Sequence, residues 1–262
     1  MPHCNGAGSD PGRASAPAQS CTVKPAPHAS PARPLLEVHG LGKALLGPQG
    51  RWRTVLDDVA FQLDAGQTLG VVGEGSVGVL GQILAGLASA DQGQVWLDGH
   101  DWLAASSWPH SQRPQGIQAV LLAPSACFDL RHSVWRVLGL TLAQAGVPRQ
   151  LRRPEGIALL ERVQLPAAVL DRRPLELSSE QRQRLVIARA LALRPRVLVA
   201  DTTGSNLERT VQARLLALLA TLTRERALAC LFIAHTLDTL GPLSDRTVIL
   251  KGDRVVDGLL RA

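Results

Sequence analysis

Residues 68–84 read Thr68-Leu69-Gly70-Val71-Val72-Gly73-Glu74-Gly75-Ser76-Val77-Gly78-Val79-Leu80-Gly81-Gln82-Ile83-Leu84. The opening residues are short and mostly apolar, and two are β-branched valines, which suits a strand. A glycine-rich turn follows, from Gly73 to Gly78. The remainder, from Val79, is an apolar segment that suits a helix. Strand, glycine turn and helix in this order is the context that gives a phosphate loop its meaning. Backbone N–H groups and the positive end of the helix then favour an anion. A glycine turn alone is weak evidence, so the segments around it have to decide.

Downstream, residues 197–200 form a short all-apolar run ending at Asp201, and residues 231–234 form another ending at His235. Such runs predict strands buried on both faces. Between them Leu207, Val211, Leu215, Leu218, Leu219 and Leu222 recur at helical spacing. Residues 248–250, the Gly252-Asp253 turn and Val255-Val256 predict a hairpin. Ser178 and Gln181 have capping-box spacing ahead of a helical stretch that Pro195 ends. Residues 131–170 read as helical with breaks. Arg149, Arg152, Arg153, Arg172 and Arg173 are concentrated there and just after it. Upstream, residues 35–38 predict a strand, 95–99 a strand ending in a turn, and 104–116 a loop. Strands alternating with helices predict an α/β fold with a largely parallel core.

The chain has 262 residues, a net charge of +6, 45% apolar and 19% charged residues. This composition excludes wholesale disorder. No run of about 18 apolar residues occurs, which excludes a transmembrane helix, and no secretory signal is read at the N-terminus. Cys4, Cys21, Cys127 and Cys230 lie far apart and fit neither a disulfide framework nor a zinc site, so free thiols in a reducing cytoplasm are expected. Residues 1–33, rich in Pro, Ala, Ser and Gly, are expected to be a disordered tail, because they bury too little apolar surface to offset ordering entropy. There is no internal repeat and no tyrosine. The only lysines are Lys24, Lys43 and Lys251. The basic balance suits either a solvated surface or an anionic partner. Nucleic acid is disfavoured, since neither aromatic platforms nor a reading helix are present.

Ligands of such sheets bind beyond the carboxyl ends of the strands. The glycine turn, Asp201 and His235 all fall there, in that order. A tight turn, a helix N-cap and a core histidine are the structural alternatives for the three. As a trio they point to phosphoryl chemistry, with a strand-terminal Asp placed for magnesium.

The chain resembles the ATP-binding cassette (ABC) ATPases of transporters, and most closely those that energise peptide and nickel importers. The resemblance covers residues 35–258. It is carried above all by residues 171–191, from Asp171-Arg172-Arg173-Pro174-Leu175-Glu176-Leu177-Ser178 to Ala188-Arg189-Ala190-Leu191, which resemble the signature helix. Leu56-Asp57-Asp58-Val59, Ala85-Gly86-Leu87 and Ser244-Asp245-Arg246 also match. Residues 196–201 resemble the Walker B strand, and Ile233-Ala234-His235 the switch-histidine strand. The resemblance implies an ABC-type P-loop NTPase fold over residues 34–262. This has a mainly parallel core sheet, an antiparallel β subdomain and a helical subdomain at about 125–185. It implies ATP and magnesium as cofactors, with Asp201 and His235 catalytic and Asp201 also the metal ligand. The implied nucleotide contacts are Gly73, Glu74, Gly75, Ser76, Val77, Gly78, Val79 and Leu80, with Ser178 and Gln181 from the signature. The implied partners are a second cassette subunit and transmembrane permease subunits, at the cytoplasmic face of the membrane.

The departures fall at the nucleotide. The family's loop ends Gly-Lys-Ser/Thr, but Gly78 is followed by Val79, and the chain is two residues short as though Lys and Ser were removed. No lysine occurs between residues 44 and 250 to replace the lost one. Its charge-assisted hydrogen bonds are worth roughly 1.5–3 kcal/mol each. Thr202 stands where the family has the glutamate that polarises water. Thr203-Gly204-Ser205 replaces Pro-Thr-Ser, and Glu208 replaces the closing Asp. Ser179-Glu180 replaces the signature Gly-Gly, and Leu122 takes the Q-loop glutamine's place, with Gln118 a strand residue upstream. Leu45 takes the place of the adenine-stacking aromatic, and Trp52 is expected to anchor a loop. Loss of a general base costs about 10²–10⁴ in rate. The expectation is an importer cassette with weak or no ATP hydrolysis. The alternatives are a non-catalytic scaffold paired with an intact paralogous cassette, or a decayed relic.

Overall fold

The computed structural model describes residues 33–47, 50–74, 77–104, 116–121, 127–203, 208–226, 228–240 and 243–261. The expected tail (Arg33 apart), most of the 104–116 loop, Gly75, Ser76, Leu122, Gly204, Ser205 and Leu207 lie outside the described residues.

Two sheets carry the fold. The first is antiparallel. It contains β1 (Leu36–Leu46), β2 (Trp52–Leu63), β4 (Gln92–Leu97) and β5 (His100–Asp101) in the order β2-β1-β4-β5. The second contains β3 (Thr68–Gly73), β6 (Ile117–Leu121), β7 (Val197–Asp201), β8 (Ala229–Ala234), β9 (Arg246–Lys251) and β10 (Arg254–Arg261). Its order is β10-β9-β3-β8-β7-β6, with every pairing parallel except that of β9 with β10. Gln118 lies on β6. Around this sheet run α1 (Val77–Leu84), α2 (Val134–Gln144), α3 (Arg152–Arg162), α4 (Ser179–Ala192), α5 (Arg209–Arg226) and α6 (Leu237–Leu240). Short 3-10 turns at Arg149–Leu151, Ala167–Asp171 and Pro174–Glu176 interrupt the helical middle. The strand expected at 35–38 is the start of β1, whose register with β2 shifts at several points. Gly40 and Gly42 interrupt its alternation, and Gly40 has φ +59°. No helix among the described residues is long and apolar enough to cross a membrane.

Side chains alternate across each central strand, so each face fills its own core. Val197, Val199, Ala229, Leu231 and Ile233 face the core shared with α1 and the antiparallel sheet. Leu198, Ala200, Cys230, Phe232 and Ala234 face the core shared with α2 to α5. This is why 197–200 and 231–234 are apolar throughout. The same parity places Asp201, at the end of β7, on the α1 face.

Local chemistry sets the helix ends. Ser178 Oγ accepts from Gln181 N at 3.1 Å, and Gln181 Oε1 accepts from Ser178 N at 3.0 Å, a reciprocal cap that starts α4. The helix closes through Leu193 and a left-handed Arg194, φ +53°, just before Pro195. Cys127 and Cys230 are in no disulfide among the described residues, and burial pushes both thiols up in pKa.

Ile83 is fully buried between α1 and the sheet. We expect Ile83→Ala to destabilise the fold by about 2–5 kcal/mol, read as a lower urea midpoint at unchanged slope.

Candidate functional site

Strand order builds the site. β8 lies between β3 and β7, so the residue that follows β8 is flanked by the ends of both neighbours. That residue is His235. Its Nδ1 lies 3.2 Å from the Gly73 carbonyl at the end of β3, and its Nε2 lies 3.3 Å from the Thr203 carbonyl just beyond β7. A carbonyl only accepts, so either ring nitrogen must carry a hydrogen to bond its partner. Either neutral tautomer serves one carbonyl, and a doubly protonated ring serves both. The ring is a strut across three strand ends, although the residue as a whole is exposed.

Asp201 is 8% exposed. Its Oδ1 accepts from Thr203 N at 2.9 Å and from Thr203 Oγ1 at 2.7 Å. This folds the chain back on itself immediately after β7, as an Asx turn does. Asp201 does not cap α5, which begins at Arg209. Thr202 is also buried, and both its N and its Oγ1 donate to the Ile233 carbonyl at 2.9 Å. The threonine hydroxyl thus extends the β7–β8 ladder.

The first turn of α1 lies against this pair. A Cβ placed on Gly78 would stand 2.6 Å from Thr203 Oγ1 and 3.1 Å from Asp201 Oδ2. The carboxylate is therefore next to the positive end of α1, where an anion is favoured. Gly73 meets Leu250 and the Val77 side chain at 3.0–3.4 Å by the same measure, and Gly81 meets Ile233 at 2.9 Å. Val77 and Leu80 are buried in the core, while Glu74 is exposed. Among the residues expected to contact nucleotide, the fold brings Gly73, Val77 and Gly78 together with Asp201 and His235. Ser178 and Gln181 lie at the start of α4, and their side chains are taken up by the cap.

A cavity of about 720 Å³ opens beside His235, lined by Thr202, Thr203, Arg209, Gln212, His235 and Asp238 among others. The sequence reading missed Arg209. Nothing in a periodic helix marks its first residue as a cavity wall. Lys43 is elsewhere, with Nζ 2.7 Å from Asp91 Oδ1. Trp52 does not anchor a loop. It is 73% exposed in β2, opposite Leu46, because it lies at an edge of the antiparallel sheet where the register leaves it unpacked. Leu45 is also exposed, opposite Arg53. Among the described residues, no group of three or more His, Cys, Asp or Glu side chains is placed to hold a metal.

A parallel sheet with a glycine turn, an aspartate and a histidine at adjacent strand ends, plus an antiparallel sheet and a helical region, defines a P-loop-type nucleotide-binding cassette. The family model described as "ABC transporter" matches residues 56–204. The dipeptide transport ATP-binding protein DppF of Haemophilus influenzae is 33% identical over 86% of this chain and 71% of its own length. The ABC transporter ATP-binding protein YejF of Escherichia coli is 33% identical over 89% of this chain but only 46% of its own length. The solved structure of cbiO1 from Clostridium perfringens, part of the ABC transporter complex cbiONQ, superposes with a TM-score of 0.71 at 20% identity, covering 86% of this chain and 87% of that one. A dimeric post-hydrolysis state of the cassette MJ0796, bound to ADP and Pi, matches equally, over 87% and 99%. The chain belongs to the ABC transporter family, as an ATP-binding cassette.

The contact at Gly78 yields a direct test. Gly78→Ala is expected to cost about 1–3 kcal/mol, because its methyl must displace Thr203 from Asp201. Gly139→Ala, where the nearest atoms lie 3.6 Å away in the middle of α2, is expected to be neutral or to stabilise by about 0.5–1 kcal/mol. Urea melts of both variants check the difference.

Proposed function

We propose that this chain is the cassette subunit of a peptide-type ABC importer, and that its own nucleotide position does not turn over ATP. The peptide assignment is supported by relatives named for dipeptide transport or peptide import. In this reading the cassette sits at the cytoplasmic face of a membrane, pairs with a second cassette subunit and docks on transmembrane permease subunits. The helices at about 125–185 form its helical subdomain.

The observation that carries the second half of the proposal is the closure of Asp201 on Thr203, against Gly78. The residues present do not fit a magnesium-bound triphosphate. Asp201 Oδ1 accepts both hydrogen bonds from Thr203, and its Oδ2 is turned to Gly78, where no lysine or loop hydroxyl stands beside it among the described residues. The loop has no lysine, and Lys43 is paired with Asp91. Thr202, where a base would polarise water, donates its hydroxyl to backbone and is no base near neutral pH. Arg209 is the cation on the adjoining cavity. The nucleotide residues Gly73 to Leu80, Ser178 and Gln181, and the catalytic pair Asp201 and His235, are assigned on this view as the remnants of a site rather than a working one. A scaffold role beside an intact paralogue is favoured over decay by the cores, which are filled on both faces of the sheet.

Calorimetric titration with MgATP and a phosphate-release assay test this. The native chain is expected to show no micromolar binding and no turnover above background. Inserting Lys-Ser after Gly78 is expected to restore binding but not turnover, because Thr202 remains. Turnover by the native chain that disappears in His235→Ala would overturn the proposal.

A further inference from the structure

The cavity beside His235 takes its walls from separate elements. Arg209, Gln212 and Ala213 line it from α5, where positions i, i+3 and i+4 share one face of a helix. Thr202, Thr203 and Ala234 line it from the ends of β7 and β8. Asp238 lines it from α6, and Leu243 from the residues that lead on to β9. Its volume of about 720 Å³ falls in the range of small-molecule sites.

Most polar groups of this lining are already taken up within the chain. Thr202 N and Oγ1 both donate to the Ile233 carbonyl. Thr203 Oγ1 donates to Asp201, and the two His235 nitrogens face the Gly73 and Thr203 carbonyls. Arg209, Gln212 and Asp238 differ. None of these three side chains makes a hydrogen bond or an ion pair with any of the described residues. Elsewhere Arg131, Arg184, Arg194, Arg196 and Arg254 each reach a carboxylate. Arg209 and Asp238 thus bring opposite charges to one cavity, from different elements, and do not pair with each other.

A ligand of this cavity has to meet both charges. An anion such as phosphate gains from Arg209 and is repelled by Asp238, and a metal ion meets the reverse. A neutral apolar molecule strips water from two charges and returns nothing. A zwitterion answers both, since its carboxylate takes the guanidinium fork and its ammonium takes the Asp238 carboxylate. Gln212, on the Arg209 face of α5, offers a donor and an acceptor, the complement of a peptide bond. Ala213, Ala234 and Leu243 leave apolar wall for small side chains. The geometry points to this cavity as a binding site for a short peptide in its zwitterionic form, with its carboxylate at Arg209, its amide at Gln212 and its amino group at Asp238. The inference stands apart from whether the nucleotide position turns over ATP and from what an importer would carry.

Calorimetric titration of the full chain with the dipeptide Ala-Ala provides the test. Binding is expected with a Kd at or below ~1 mM. N-acetyl-Ala-Ala and Ala-Ala amide each lack one charge, and should bind about tenfold more weakly or worse. Alanine, which has both charges but no internal amide, should also lose about tenfold. Arg209→Gln should weaken Ala-Ala about tenfold and leave Ala-Ala amide no weaker, while Asp238→Asn should do the same to Ala-Ala and leave N-acetyl-Ala-Ala no weaker. Because these readouts compare ligands on one protein, a loosened fold does not reproduce them. Arg214→Gln removes an exposed arginine of α5 outside the cavity lining and should bind as the native chain does. No binding of Ala-Ala at about 10 mM, equal affinity for either blocked dipeptide or for alanine, or an equal loss in Arg214→Gln would each overturn the inference. Tighter binding of inorganic phosphate than of Ala-Ala, lost in Arg209→Gln, would also overturn it and assign the cavity to an anion.

Discussion

The ladder from β3 through β8 to β7 is the constraint on which the rest depends. Neighbouring strands stand about 4.8 Å apart, so three adjacent strand ends fall within the reach of a single side chain. His235 occupies the middle end and touches the carbonyls on both sides. Any residue there is handed two acceptors by the backbone, whatever ligand is or is not bound. The parity that buries Val197 and Val199 against α1 brings Asp201 to the same face, within contact of Gly78. Position at this site follows from pairing and alternation, and the loop sequence decides only what that position holds.

On the reading proposed above, this explains how a cassette scaffold outlasts its chemistry. The cores on either face of the sheet are built mostly from Leu, Val, Ile, Ala and Phe. The reciprocal cap between Ser178 and Gln181 starts α4 without help from the glycines that resemblance expects after it. At the strand ends, groups that would otherwise be buried without partners have found them within the chain. Asp201 accepts from Thr203, and Thr202 donates to Ile233. Leaving a carboxylate unpaired at 8% exposure would cost far more than the turn that satisfies it. Threonines at 202 and 203 are therefore consistent with a site that satisfies itself.

Much of this was legible in the sequence, for reasons that particular residues make plain. The unbroken apolar runs at 197–200 and 231–234 announce strands covered on both faces, and β7 and β8 are fully buried. Ser178 with Gln181, and the Gly252-Asp253 turn, carry their own local hydrogen-bond logic. The long β1–β2 pair was hidden because Gly40, Gly42 and Lys43 break its alternation, and its register shifts at the same places. Trp52 was misjudged because an aromatic side chain does not announce which sheet edge it will reach. The turn made by Thr203 could not be read, since it depends on where β7 stops relative to α1.

The arginines show the same boundary between composition and geometry. Their excess is plain in the sequence, but a list of positions cannot say that residues 149–153 and 171–175 share a face. That follows from the start of α3 packing on the start of α2, with Arg172 joined to the first turn of α2 and Arg153 to Trp135 and Asp171. Like charges so assembled repel one another, and the single acid within reach of Arg153 relieves little of that. An exposed pair of this kind contributes at most about 1 kcal/mol. Gathering guanidinium groups here therefore adds little to the stability of the fold.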